Sequence, residues 1–97
     1  MTKEELVKDK YYVVKYTDEY IMQFDGQMNG YCNGYIHKYS SFVRDRGSFR
    51  FHTDCIPVRE CTPLEIHWLE LCRKTNGWVN KPTKLPEEEI INNYTLY

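Results

Sequence analysis

With 97 residues, 41% of them hydrophobic and 28% charged, the chain is expected to be one domain over 1–97, with a single modest core and no room for separate cofactor and substrate domains. Its 13 basic and 14 acidic residues nearly cancel, so the molecule as a whole lacks the positive field of a non-specific nucleic-acid binder, although a local basic patch is compatible with the balance. No run approaches the roughly 20 apolar residues of a membrane span and Met1–Glu5 lacks a signal-peptide pattern, so the expected location is the cytoplasm, with Cys32, Cys55, Cys61 and Cys72 reduced.

Thr2 to Lys10 read as a short polar helix, with Thr2 as cap, Glu5 three residues later, and Leu6 and Val7 as apolar anchors. The β-branched and aromatic run Tyr11–Tyr16 is a strand, and Thr17-Asp18-Glu19 turns it into Tyr20–Phe24, where Tyr20, Met22 and Phe24 face the core. Gly26–Gly30 is a loop by composition. Asn33-Gly34 is a tight turn or a bulge within the next strand, Tyr31 to Tyr39. Phe42-Val43-Arg44 and Ser48–His52 read as a hairpin closed by Asp45-Arg46-Gly47. Cys55–Arg59 is extended, and its Pro57 places it at a sheet edge.

Thr62, Pro63 and Glu65 spell a helix start with a capping box, and Asn76-Gly77 a stop, so a helix spans about 63–75. Leu64, Trp68, Leu71 and Cys72 form its apolar stripe, while His67, Glu70, Arg73 and Lys74 point away. Cys61 and Ile66 suit a hydrophobic staple. Residues 79–97 form a C-terminal arm, in which Pro86–Asn92 suggests a short acidic helix and Tyr94, Leu96 and Tyr97 suggest a final anchoring strand. The expected fold class is α+β: a small, strongly bent antiparallel sheet or SH3-like partly open barrel of about five strands, with a short N-terminal helix and the packed helix.

Four cysteines and three histidines raise the question of zinc, but no Cys-x-x-Cys pair occurs, and Cys61 and Cys72 have structural positions as small apolar residues. Neither a metal nor a cofactor is expected. Cys55 with His52 lacks any feature that would activate a thiolate, and Glu87-Glu88-Glu89 suits a helix dipole better than catalysis. Nine tyrosines tilt the chain toward recognition. Arg44, Arg46 and Arg50 near Tyr39 and three phenylalanines form a constellation able to hold a phosphate and stack a base, although a solvated hairpin tip explains it better, and Asp45 between the arginines weakens the patch.

The run Val58-Arg59-Glu60-Cys61-Thr62-Pro63-Leu64-Glu65-Ile66, after a strand-rich half and before a short helix, resembles a recurring ending in small bacteriophage and prophage proteins. In those proteins an Arg-Glu-small-Thr-Pro-x-Glu run starts the final helix. The resemblance covers Arg59 to Trp78, with pattern similarity back to Tyr11. It implies an accessory phage protein acting inside the infected bacterium, of a kind that often modulates host processes and inhibits defence systems; it implies no catalytic residue.

The leading expectation is therefore a non-enzymatic binding protein that modulates or inhibits a host protein, a defence component in anti-CRISPR-like fashion. Its contact residues would be Tyr35, Tyr39, Arg44, Arg46 and Arg50, together with Arg59 and Glu60, a charged pair before the cap that no helix start requires. The alternative is sequestration of a nucleotide signal, with arginine on phosphate and tyrosine on the base; a further one is single-stranded nucleic-acid binding. No membrane partner is expected, and strand exchange through an edge or the arm leaves a homo-oligomer open.

Overall fold

The computed structural model describes residues 1–39, 41–48 and 54–86. Arg50, the expected strand around Phe49–His52, and the helix and strand expected in the arm beyond Pro86 lie outside the described residues. Five strands, β1 (Tyr11–Tyr16), β2 (Asp18–Gln23), β3 (Tyr31–His37), β4 (Phe42–Ser48) and β5 (Ile56–Glu60), form one open antiparallel sheet in the order β4-β3-β2-β1-β5. One helix, α1 (Pro63–Thr75), packs on it.

Both faces of the sheet centre are covered. Tyr12, Val13 and Val14 are all buried, although alternate residues of a strand point to opposite sides. On one side Tyr12, Val14, Met22, Phe24, Cys32 and Cys55 make a cluster against which Leu6, Tyr20 and Tyr35 pack. The expected inward set of β2 therefore packs as read. Ile21 is buried on the other side, with Val13, Ile36, Trp68, Leu69 and Cys72 beneath α1. Cys32 on β3 and Cys55 just before β5 share one cluster although two strands lie between them, which shows how far the sheet bends.

Two glycines shape that bend. Gly34 sits at φ 89° where β3 slips against β4, so that Arg44 and Asp45 stand opposite it between the pairs Asn33↔Arg46 and Tyr35↔Val43. This is the bulge form of Asn33-Gly34. Asp45-Arg46-Gly47, expected as a turn, instead lies inside β4. Gly47 is needed there for close approach, because a Cβ would overlap the Tyr35 ring. The hairpin turn at β1–β2 is also tighter than expected: Thr17 alone takes it, at φ 53°, and Asp18 and Glu19 already pair with Tyr16 and Lys15.

At the N-terminus a single 3₁₀ turn, Lys3–Glu5, stands where a short helix was expected; Leu6 reaches the core but Val7 stays exposed. Pro57 lies on the edge strand β5, as its missing N–H requires.

Helix α1 begins as its sequence spells. The Thr62 hydroxyl accepts from the Glu65 N–H, and the Glu65 carboxylate accepts from the Thr62 N–H at 2.8 Å. Asn76 closes the other end in the left-handed conformation at φ 59°. Leu69, off the expected stripe, is fully buried, whereas Leu71 is only half-buried. Arg73, expected to point away, lies over the sheet: its guanidinium donates to the Asn33 and Arg44 carbonyls, to Gln23 Oε1 at 3.0 Å and to Glu70 at 2.7 Å. The Tyr11 hydroxyl donates to the same Glu70 carboxylate, and burial followed by that carboxylate pushes its phenol up to about 12, so it stays a donor. No helix among the described residues is long and apolar enough to cross a membrane.

Candidate functional site

The residues singled out from the sequence separate into several places. Arg44 donates to the Arg73 carbonyl at 2.6 Å and to Asn76 Oδ1 at 3.3 Å, so it helps to close the C-terminal end of α1. Arg46 stacks on the Tyr31 ring, 3.9 Å from its centroid. Tyr35 is half-buried, edge-on to Tyr20 at 5.7 Å, and burial raises its phenol pKa. Arg59 grips Glu65 with both terminal guanidinium nitrogens, at 2.7 and 2.9 Å, and Glu60 pairs with Lys10 at 3.2 Å. The charged pair before the cap, which seemed free of structural duty, thus ties the helix start and the N-terminal segment to β5.

Glu65 is the anchor of that tie. Its side chain is only 9% exposed. Burial by itself would raise its pKa, but the Arg59 hydrogen bonds and the Thr62 amide outweigh burial and hold the carboxyl below its ordinary value.

Of the seven expected residues, Tyr39 and Arg59 meet in one place, a half-open cleft of about 470 Å³ beside the start of α1. Val13, Ile21 and Trp68, all buried, give it an apolar base. The Arg59–Glu65 pair forms one wall, and Tyr39 and the β2 backbone around Tyr20 complete the lining. Tyr39 is 62% exposed, just beyond the end of β3. Its ring stands 5.4 Å from that of His37, edge-on, and 5.1 Å from Lys38 Nζ. His37 is itself held by Asp18 at 3.2 Å and by the Tyr20 ring at 4.9 Å.

Lys81 reaches the cleft from the segment after α1. Two indoles pin that segment: Trp78 Nε1 donates to the His37 carbonyl at 3.0 Å, and Trp68 Nε1 donates to the Val79 carbonyl at 2.7 Å. The two rings meet edge-on at 6.2 Å. Among the described residues neither Lys38 nor Lys81 has an acidic partner within salt-bridge distance, so two ammonium groups border an apolar base with the exposed Tyr39 ring beside it. Among the described residues Glu19 is the one exposed carboxylate on the lining.

Sequence reasoning missed Lys38, Lys81 and Trp78. Lys38 was legible only as the neighbour of Tyr39; Trp78 and Lys81 follow the helix stop, where nothing local says which way the chain turns.

The arrangement is suited to holding a ligand. Burial pushes the Cys61 thiol up to about 12 and raises those of Cys32 and Cys72, so all three are poor nucleophiles. Among the described residues no group of three or more His, Cys, Asp and Glu side chains is placed to hold a metal ion. No protein-family model matches the chain, and neither does a curated protein or a solved structure.

Proposed function

We propose that this is a non-enzymatic binding protein that sequesters a small anionic ligand carrying a flat ring, of the nucleoside phosphate class. The observation that carries the reading is the pairing of two lysines that have no acidic partner among the described residues, Lys38 and Lys81, with the exposed Tyr39 ring around one apolar cleft. Its volume of about 470 Å³ falls within the range of small-molecule sites. The Tyr39 ring offers a stacking face, and the ammonium groups offer charge-assisted hydrogen bonds to phosphate oxygens. Of the arginines first expected to do this work, Arg44 is engaged at the end of α1 and Arg46 on Tyr31, and Arg50 lies outside the described residues.

A second reading, modulation of a host protein in a phage-infected bacterium, is favoured by a different surface. Ile56 and Val58 on the edge strand β5 are 63% and 40% exposed, a composition suited to a protein contact.

Native mass spectrometry of the protein purified gently from cells in which it acts separates the two. A mass excess of a few hundred daltons, absent from Lys38→Met/Lys81→Met, supports sequestration. A second polypeptide retained by that variant and lost from Ile56→Asp/Val58→Asp supports the protein partner and overturns the cleft.

A further inference from the structure

Lys81 has no side-chain anchor of its own among the described residues; its position is set by the backbone of the strap from Trp78 to Lys81. The strap is fixed at two points. Trp78 Nε1 donates to the carbonyl of His37, the residue immediately before Lys38 and two before Tyr39. Trp68 Nε1 donates to the carbonyl of Val79. The first bond joins the strap directly to the end of β3, where the other lysine and the exposed ring emerge.

Resting on the cleft reading above, we infer that Trp78 is a positioning residue for anion recognition: its indole N–H, bonded to the His37 carbonyl, sets the spacing of Lys81 and Lys38, so that Trp78 and Lys81 act as one unit in selecting a phosphorylated ligand over its uncharged counterpart. The ring of Trp78 contributes packing against Trp68, and its N–H contributes geometry. Trp78→Phe keeps a six-membered aromatic ring near Trp68 and removes the donor together with the five-membered ring that carries it, so adenosine, which needs no anion contact, serves as the control for lost packing.

Isothermal titration of wild type, Trp78→Phe, Lys81→Met and the double variant with adenosine diphosphate and with adenosine tests this. Loss of one charge-assisted contact corresponds to a roughly five- to tenfold weaker association. Both single variants are expected to bind adenosine diphosphate that much more weakly and adenosine as wild type does, and the double variant is expected to be no worse than Lys81→Met alone. Losses that multiply in the double variant would show that Trp78 and Lys81 act independently, and an equal loss for adenosine would show that Trp78 acts on packing alone; either overturns the inference. Should Trp78→Phe fail to fold, two glycines inserted after Asn80 lengthen the strap without touching either indole; the same selective loss is then expected, and unchanged binding of both ligands overturns the inference. Wild type that binds neither ligand removes the cleft reading itself, whereas wild type that binds with Trp78→Phe its equal removes only the role of Trp78.

Discussion

Replacing Arg59 with methionine isolates the tie between β5 and the start of α1. The substitution keeps a long apolar stem beside Val13 and removes both hydrogen bonds to Glu65, at 2.7 and 2.9 Å. Glu65, with its side chain 9% exposed, is then left with the Thr62 N–H as its remaining close partner. A hydrogen bond to a charged group contributes about 1.5–3 kcal/mol, but Arg59 is 49% exposed and solvent screens the pair. The lower part of that range, about 2 kcal/mol for the bidentate contact as a whole, is therefore the expected cost. For a domain of this size that lowers Tm by about 8–16 °C. Arg59→Lys, which keeps the charge but not the fork, is expected to lose about half as much. The contribution has a defined pH dependence: a carboxyl whose pKa is lower in the folded state stabilises above its unfolded value and loses that stabilisation as pH falls through the folded one. The gap between wild type and Arg59→Met should thus be constant near neutrality and close below about pH 4. Chemical denaturation across pH measures both. A variant within about 0.5 kcal/mol of wild type at neutral pH would refute the tie, as would a gap that persists unchanged in acid.

Gly34→Ala places a Cβ 2.5 Å from the Arg44 carbonyl oxygen and 2.7 Å from Arg73 at a φ of 89°; a loss of about 2–3 kcal/mol is expected by denaturant unfolding. Alkylation by iodoacetamide at mildly alkaline pH should be at least about a hundredfold slower in the native protein than in denaturant, because the Cys61 thiol lies near 12 and Cys32 and Cys72 are raised; rapid labelling of the native state would contradict that burial. Tyr11→Phe removes the hydroxyl shared by Glu70 and Arg73, with an expected cost of about 1 kcal/mol and no change in ligand binding.

The helix start was legible because all its partners are local: Thr62, Pro63 and Glu65 satisfy one another within a single turn. Pro57 announced an edge strand for an equally local reason. Asp45-Arg46-Gly47 misled because Gly47 is required by the Tyr35 ring across the sheet and not by a turn in its own chain. Arg73 and Arg44 follow the same logic. Each has a charge that reads as solvated, and each finds its partner 29 residues away. The cleft was the least legible part. It depends on where the strap after Gly77 runs, and that path is decided by indole bonds to His37 and Val79. Tyr39 and Arg59 were singled out for other reasons; the lysines that complete the site carry no pattern in the sequence.

Titration of wild type and Lys38→Met/Lys81→Met with adenosine diphosphate, followed by heat at two salt concentrations, tests the cleft most directly. Wild type should bind with one site per chain and weaken as salt rises, and the double variant, equally stable to heat, should lose most of that affinity. Equal binding by both proteins, or none by wild type, would contradict an anion site between Lys38, Lys81 and Tyr39.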